Sequence, residues 1–320
     1  MKKIKLGIVG CGIAAKELHL PPLKALTDKF EITALHNRTR RKAELLSDEI
    51  DGHPVIYDSY EKMLDEGNLD AIDLALPTVV NQGFISKAVD KKIPIICEKP
   101  ISHNTQTAEE IVEYVQKNNG LLYIAENFRH IKVFQKIRDL LSTGIIGNTV
   151  SFIWNEFAGL TTENQYVNTP WRRHPEHIGG FLSDGGVHHV AGMKAIFGPV
   201  KKATGKTKRE TDYLGSDDNL YAVLEFESGV IGAYNASYST AWGPSQHQII
   251  GSKGTILWDN DKIYVITETS KEIIKREKEE DYKKEFEDFY QSLINEKIGE
   301  KGSPQEALDD LRIIESIIKR

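Results

Sequence analysis

Two short segments of this sequence carry side chains whose type and spacing could perform acid–base chemistry. Asp184 and His188 are four residues apart in a glycine-rich segment, so on a helix they would share one face. An imidazole beside a carboxylate can exchange a proton near neutral pH. Lys99 lies in the tripeptide Glu98-Lys99-Pro100, directly after an apolar run. If that run is a strand of a doubly wound sheet, Lys99 projects from the sheet edge where ligands bind.

Each of these residues also has a structural interpretation. A lysine at the end of a strand is more often a solvent-exposed charge. Asp184 could cap a helix, and His188 could pack as a core histidine. His189 points to another face of the same helix, which makes it the poorer candidate for chemistry. From the residues alone, both interpretations stay open.

A glycine-rich loop near the N-terminus indicates a nucleotide site. The apolar run Ile4–Val9 is followed by Gly10-Cys11-Gly12-Ile13-Ala14-Ala15, which fits the pattern G-x-G-x-x-G/A. In that pattern Gly10 makes a tight turn, Gly12 lets the backbone approach a pyrophosphate, and Ala15 permits close packing. Amide groups at the start of the helix then bind the phosphate charge. We expect a dinucleotide-binding loop; the alternative is a purely structural turn.

The end of the second expected strand indicates which dinucleotide is bound. It reads Leu35-His36-Asn37-Arg38-Thr39-Arg40-Arg41, without a carboxylate for the ribose hydroxyls of NAD. Arg38 and Arg41 could bind the 2′-phosphate of NADP through charge-assisted hydrogen bonds, and the neutral Asn37 avoids repelling it. We therefore expect NADP(H) to be preferred, with NAD(H) possible. A solvated basic start of a helix is the alternative.

The elements that position these residues differ between the two halves of the chain. From residue 1 to 126, apolar runs alternate with helical segments, which is typical of an α/β doubly wound parallel sheet. Such strands are buried on both faces and should be continuously apolar. The expected strands are Ile4–Val9, Ile32–Leu35, Val55–Tyr57, Ala71–Leu76, Ile93–Cys97 and Leu121–Ala125. We expect residues 1–126 to form a Rossmann dinucleotide-binding domain.

Residues 127–320 are expected to form an α+β domain for substrate binding and oligomerisation, with a large, mostly antiparallel, open-faced sheet. Tight turns at 227–229, 251–254 and 259–261 separate its strand-like stretches. A helix is expected around residues 179–198, and a solvated amphipathic helix over Lys271–Glu287. Ser303 and Pro304 open a final helix, 304–318, which can pack back on the first domain.

Composition excludes several classes of protein. With 41 basic and 47 acidic residues the net charge is −6, which argues against a nucleic-acid binder. No apolar stretch approaches 18 residues, so we expect no membrane association and a cytoplasmic location. Cys11 and Cys97 are too few for a disulfide framework or a cysteine-rich zinc site, and we expect no metal.

The four motifs, in this order, resemble the Gfo/Idh/MocA family of oxidoreductases, and the resemblance covers essentially the whole chain. The family's Glu-Lys-Pro is matched at residues 98–100, and its Asp-x-Gly-x-His at residues 184–188. The resemblance implies that Lys99 binds the reacting oxygen and the cofactor, that His188 is the acid–base group, and that Asp184 binds substrate and orients the site. It further implies cofactor contacts for Pro77, Asn81, Glu98 and Asn127, and substrate contacts for Trp171 and Arg172.

Two residues depart from the family pattern. Asn81 stands where many members have a histidine, which could alter cofactor contacts. Ala191 stands where members often have a second aspartate, so a polyol substrate does not follow from the inositol branch. The implied substrate is therefore a sugar, a polyol or a related small carbonyl compound.

The resemblance also implies a homodimer or homotetramer formed through the C-terminal sheet. Leu220, Val223 and Tyr234 alternate in a way that fits such an interface, although a helix-covered core would explain them equally. The same fold occurs in proteins that bind a dinucleotide without turnover, including a transcriptional regulator. A non-catalytic sensor or regulator is thus the alternative to an enzyme, and the presence of Lys99 and His188 favours the enzyme.

Overall fold

The computed structural model of the protein describes residues 2–240 and 245–318. Backbone contacts divide the chain into two compact units. The first contains residues 2–130 and Glu280–Asp309, and the second contains Ile131–Glu279 and residues 310–318. Each unit is built around one sheet.

The first unit contains the parallel sheet. Its strands are β1 (Ile4–Val9), β2 (Phe30–His36), β3 (Val55–Tyr57), β4 (Ala71–Leu74), β5 (Ile95–Glu98) and β6 (Leu122–Ala125). The order is β3-β2-β1-β4-β5-β6, with each neighbouring pair parallel. The intervening helices are α1 (Leu20–Ala25), α2 (Arg40–Ser47), α3 (Tyr60–Glu66), α4 (Asn81–Asp90) and α5 (Thr105–Lys117). This order is that of a Rossmann fold, so the predicted doubly wound sheet is confirmed.

The central strands are apolar because helices cover both faces of the sheet. Leu6 and Ile8 of β1 and Ile72 of β4 are completely buried. Asp73 of β4 is the exception, because its carboxylate is equally buried in the middle of the sheet. A buried charge requires a compensating partner, and that partner belongs to the candidate site.

The second unit contains the other sheet. Its helices are α6 (Lys132–Ser142), α7 (Pro170–Arg173) and α8 (Phe181–Phe197). Its strands are β7 (Thr149–Phe157), β8 (Val200–Lys208), β9 (Asn219–Phe226), β10 (Ile231–Ser237), β11 (Gln246–Gly251), β12 (Gly254–Trp258), β13 (Lys262–Thr267) and β14 (Lys271–Lys275). The order is β14-β13-β12-β11-β7-β10-β9-β8, antiparallel except for the pair of β7 and β10. The predicted mostly antiparallel sheet is confirmed.

One face of this sheet packs in the core of the unit and the other is exposed. Along β9, Leu220 and Leu224 are completely buried, whereas Tyr221 and Val223 are 52% and 50% exposed. Tyr234 of β10 is also completely buried. Of the three residues considered for an interface, only Val223 therefore lies on the open face.

Two helices follow the second sheet: α9 (Asp281–Ile294) and α10 (Pro304–Ile318). Helix α9 belongs to the first unit, where Phe286 and Phe289 are completely buried and both contact the ring of Phe30. Helix α10 begins at the predicted cap, since the amide of Glu306 donates to Ser303 Oγ at 3.4 Å. The chain thus returns to the Rossmann unit after completing the second sheet.

The prediction of one solvated helix over Lys271–Glu287 is wrong. Residues Lys271–Lys275 form the edge strand β14, in which Ile274 pairs with Ile263 of β13. Pairing with a neighbouring strand overrides the helix propensity of the charged residues. Helix α9 begins only at Asp281, and its buried phenylalanines give it a core-facing side that a solvated helix would lack.

Among the described residues, every helix falls short of the length and apolar character that a bilayer span requires.

We predict that Phe289→Ala destabilises the first unit, because it removes a completely buried ring that packs on Phe30 and Tyr123. The expected loss in free energy of unfolding is about 3–5 kcal/mol. The matched control is Ile294→Ala on the same helix, where the side chain is 48% exposed and the expected change is about 0.5 kcal/mol. Urea unfolding measures both, and equal effects would contradict a structural role for α9 in this unit.

Candidate active site

The glycine loop has the geometry of a dinucleotide-binding turn. Gly10 has a positive φ of 94°, and a Cβ there would overlap the carbonyl oxygen of Ala75, so the turn requires glycine. At Gly12 a Cβ would point into open space, so nothing in the described structure fills that position. Ala15 is completely buried, as the packing role of a small residue requires. The loop therefore fits a pyrophosphate next to the start of the helical segment.

Asn37 connects the end of β2 to this loop. Its Oδ1 accepts a hydrogen bond from the amide of Cys11 at 3.0 Å, and its Nδ2 donates to the carbonyl of Thr39 at 2.9 Å. Both ends of the side-chain amide are therefore used. Asn37 has a structural role in the turn in addition to any role in cofactor choice.

The three arginines after β2 differ in their surroundings. Arg40 donates to Asp58 at 2.5 Å, and Arg41 lies 3.4 Å from Glu44. Arg38 is exposed, and no ion pair within residues 2–240 and 245–318 involves it. Since exposed ion pairs are weak, Arg41 can exchange its partner, but Arg38 has the least compensated charge.

Asn81 lies at the start of α4, beyond the turn that begins at Pro77. Its side chain is completely buried, and its Nδ2 donates to the carbonyl oxygens of Pro100 and Ile101 at 3.4 and 3.3 Å. The amide therefore holds the backbone directly after Lys99. This contact joins the end of β4 to the end of β5.

Lys99 lies at the corner after β5. Its backbone amide donates to Oε2 of Glu98 at 3.1 Å, and the peptide bond between Lys99 and Pro100 is cis. Oε1 of Glu98 lies 2.9 Å from Nε2 of His19. The lysine is half-buried at the carboxyl edge of the sheet, the edge that also carries Gly10 and Asn37.

His19 also belongs to this site, although no sequence motif indicates it. Its ring is completely buried, with Nδ1 2.8 Å from Oδ2 of Asp73 and Nε2 beside Glu98. Burial alone would lower the pKa of His19, but the charges and hydrogen bonds of Asp73 and Glu98 outweigh it and raise the pKa well above its usual range. The available signal was Asp73, a charged residue within an apolar strand that needs a buried partner.

The segment after β6 is fixed by the helix that returns to this unit. Asn127 is buried, and its Nδ2 donates to Oδ2 of Asp281 at 2.5 Å. Glu126 accepts from the amide of Phe128 at 3.1 Å. Asn127 thus lies at the same edge of the sheet as the other expected cofactor residues, one strand beyond Lys99.

In the second unit, Asp184 pairs with Arg172. Arg172 Nε donates to Oδ2 of Asp184 at 2.9 Å, and its guanidinium lies 3.9 Å from the ring of Trp171 and 5.1 Å from that of Tyr166. Asp184 lies in the first turn of α8, which is capped by Gly180 without a side-chain hydrogen bond. Its carboxylate therefore has a charged partner and is not a helix cap.

His188 and His189 occupy different environments on α8. His188 is half-buried and lies one turn beyond Asp184, as the predicted helix requires. His189 is buried, with Nδ1 2.7 Å from the hydroxyl of Tyr234. This hydrogen bond to a core tyrosine explains His189 as a structural residue and leaves His188 as the candidate for proton transfer.

Further titratable groups surround α8 within the second unit. Burial alone would raise the pKa of Glu156, but its hydrogen bond to His247 and the charge of His189 lower it to about 2. Burial and the charge of Asp184 raise the pKa of Tyr238. A Cβ at Gly185 would overlap the Tyr238 hydroxyl, so this glycine makes room for a protein side chain.

Both cysteines are free and buried. Burial, with the charge of Asp73, raises the pKa of Cys11 to about 12, and burial and Glu98 raise that of Cys97. Their thiols stay protonated and unreactive at neutral pH. Among the residues that the structure describes, no group of three or more histidine, cysteine, aspartate or glutamate side chains could hold a metal ion.

Comparison with known proteins identifies the family. The model for an oxidoreductase-family NAD-binding Rossmann fold matches residues 4–126, and the model for the C-terminal alpha/beta domain of the same family matches residues 138–320. Both are Gfo/Idh/MocA models, and together they span nearly the whole chain.

Individual relatives agree with this. A crystal structure of an oxidoreductase from Thermotoga maritima has a TM-score of 0.95 and 46% identity, covering 99% of this chain and 96% of that one. An uncharacterised protein of Saccharomyces cerevisiae is 33% identical over 81% of this chain and 75% of its own. A D-xylose 1-dehydrogenase (NADP(+)) of Haloferax volcanii is 26% identical over 73% of this chain and 69% of its own. The chain therefore belongs to the Gfo/Idh/MocA oxidoreductase family and is an enzyme of the dehydrogenase and reductase class.

Proposed function

We propose that the protein is an NADP(H)-dependent oxidoreductase that transfers a hydride between the nicotinamide and a hydroxyl or carbonyl carbon of a sugar, a polyol or a related small carbonyl compound. The observation that carries this proposal is the placement of Lys99 at the carboxyl edge of the Rossmann sheet, the edge that carries the glycine loop. The relative from Haloferax volcanii, named for a sugar and for NADP, supports the substrate class and the cofactor.

The bound cofactor would supply the hydride acceptor or donor. Residues of the chain would stabilise the charge on the substrate oxygen and accept or donate its proton. Gly10, Gly12 and Ala15 would hold the pyrophosphate, with Pro77, Asn81, Glu98 and Asn127 lining the edge toward the nicotinamide. In the oxidative direction His188 accepts the proton of the substrate hydroxyl, and the ammonium group of Lys99 stabilises negative charge on that oxygen. Asp184, held by Arg172 beside Trp171, binds and orients the substrate.

We predict that His188→Ala lowers kcat by roughly 100- to 10,000-fold, the loss that follows removal of a positioned acid–base group. The matched control is His189→Gln on the same helix, which keeps a hydrogen-bonding group for Tyr234 and should change kcat by less than about threefold. Initial rates across a panel of sugars, polyols and carbonyl compounds measure both. Cofactor binding without turnover by the wild type would contradict the enzyme and favour a sensor.

The cofactor preference follows from the charges after β2. Arg38 is exposed without an ion-pair partner in the described chain, while Asn37 presents no negative charge to a 2′-phosphate. Arg41 lies on the first turn of α2 and has only a weak exposed partner in Glu44. These positions favour NADP(H), with NAD(H) as a poorer cofactor.

We predict that Arg38→Gln raises the KM for NADP by about 10- to 100-fold, because a hydrogen bond to a charged group contributes about 1.5–3 kcal/mol. The KM for NAD should change by less than about threefold, since NAD lacks the 2′-phosphate. Arg40→Gln is the control, because Arg40 has two carboxylate partners, Asp58 and Glu44, and so has the most compensated charge of the three arginines. Steady-state kinetics with both cofactors measure the effect, and a wild type that uses both equally would refute the preference.

We also propose that the open face of the second sheet forms a homodimer or homotetramer interface. Large apolar side chains on two neighbouring strands of this face are 47–52% exposed: Tyr221 and Val223 of β9, and Ile231 of β10. An exposed apolar patch on adjacent strands is typical of an association surface.

We predict that Val223→Lys shifts the protein toward monomer, because a buried lysine charge without a partner opposes association. Leu45→Lys is the control, since Leu45 is 48% exposed on α2 and belongs to the first unit. Sedimentation velocity at micromolar concentration measures both variants. A wild type that sediments as a monomer would contradict the interface.

A further inference from the structure

The helical segment after the glycine loop contains a π turn, Ala15–His19. The amide of Leu20 donates to the carbonyl of Ala15, five residues earlier. Pro21 and Pro22 follow and have no N–H groups for a regular ladder, which explains why the helix departs from α geometry here. The last residue of the π turn is His19, whose ring is completely buried. Such turns frequently occur at functional sites.

Both ring nitrogens of His19 face carboxylates. Nδ1 lies 2.8 and 3.0 Å from the two oxygens of Asp73, and Nε2 lies 2.9 Å from Oε1 of Glu98. A carboxylate accepts hydrogen bonds, so this arrangement uses an N–H donor on each side of the ring. Only the imidazolium form has both donors. The raised pKa of His19 agrees with this geometry.

Helix α9 also packs against His19. Helix α9 brings the ring of Phe286 to 5.3 Å from His19 and also carries Glu285. Both carboxyl oxygens of Glu285 are buried without a hydrogen-bond partner in the described structure. Burial and the charge of Glu98 raise the pKa of Glu285 well above its usual range, against the opposing charge of His19. The carboxylates that contact the His19 ring are those of Asp73 and Glu98.

The imidazolium fixes the carboxylate that holds Lys99. With Oε1 of Glu98 bound to His19, Oε2 points to the backbone amide of Lys99 at 3.1 Å. On the other side, Asn81 holds the carbonyls of Pro100 and Ile101. Two side chains, Glu98 and Asn81, therefore hydrogen-bond the backbone on either side of Lys99. The position of Glu98 depends in turn on its contact with His19.

We propose that His19 is a positioning residue for Lys99: as an imidazolium between Asp73 and Glu98, it fixes the corner from which the lysine side chain projects. It acts through Glu98 and does not touch the reacting atoms. The inference rests on the proposed function, in which Lys99 stabilises charge on the reacting oxygen. It goes beyond that function by assigning a role to a buried residue outside the expected cofactor and substrate contacts.

The test compares His19→Gln with His130→Gln. Glutamine is uncharged and cannot donate to carboxylates on both sides, so Glu98 loses its anchor. His130 is a matched control because it is also buried in the first unit, where it bonds the hydroxyl of Tyr123 at 3.0 Å. Burial and the charges of Lys301 and Arg129 lower the pKa of His130 to about 3, so the control removes a neutral ring.

We expect His19→Gln to lower kcat by at least about tenfold, because a displacement of about 1 Å in a positioned group can cost about 100-fold in rate. The Kd for NADP should rise by a smaller factor than kcat falls, because His19→Gln acts on the Glu98 and Lys99 side of the cofactor edge and leaves Gly10, Gly12 and Arg38 in place. His130→Gln should leave both within about threefold. The positioning role would be overturned if kcat fell equally in the two variants. It would also be overturned if the Kd for NADP rose by the same factor as kcat fell.

Two measurements do not depend on turnover. The exchange of the Lys99 backbone amide should become at least about tenfold faster in His19→Gln and stay unchanged in His130→Gln. In the wild type, the ¹⁵N shifts of the His19 ring should show two protonated nitrogens at pH 8, a result that needs no variant to fold. Unchanged exchange, or a neutral ring, would overturn the inference. Absence of turnover by the wild type would instead refute the proposed function.

Discussion

One buried imidazole compensates two carboxylates, the buried Asp73 and the half-buried Glu98, and the carboxyl edge of the first sheet depends on this contact. Asp73 lies inside β4 and Glu98 ends β5, and both face His19. A charge removed from water costs several kcal/mol unless it is paired and hydrogen-bonded, so the two strands and the first helix have to be arranged together. The glycine loop directly precedes that helix and Lys99 directly follows Glu98. The glycine loop and Lys99 are therefore each close in sequence to a residue of this charged contact.

The second unit applies the same rule to its own charges. Asp184 is balanced by Arg172, and Glu156 is held by His247. His189 is satisfied by the hydroxyl of Tyr234. Of the two neighbouring histidines of α8, one therefore contributes to the core while the other remains half-buried at the same end of the helix as Asp184. Buried groups that are paired in this way make a rigid support, which the proposed acid–base residue His188 needs to keep its position.

The parts of the fold that depend on local patterns could be predicted from the sequence. Apolar runs gave the six parallel strands, and glycine spacing placed Gly10 and Gly12 between β1 and the first helix. Contacts between distant segments could not be predicted this way. His19, Asp73 and Glu98 are brought together by three separate elements, and no spacing in the sequence relates them. The strand at Lys271–Lys275 depends on pairing with β13, and helix propensity alone does not contain that information.

The residue type at position 37 is constrained by the protein's own hydrogen bonds as well as by the proposed choice of cofactor. Oδ1 of Asn37 accepts from Cys11 in the glycine loop, while its Nδ2 donates to the carbonyl of Thr39. Aspartate would keep the first hydrogen bond but would set an oxygen against the Thr39 carbonyl, so the exchange would strain the turn as well as repel a 2′-phosphate. Arg38 lacks such internal contacts within the described chain, and its charge acts only within a Debye length of about 8 Å. The net charge of −6 thus carries no information on cofactor choice, which in the proposed function depends on Arg38 and its immediate neighbours.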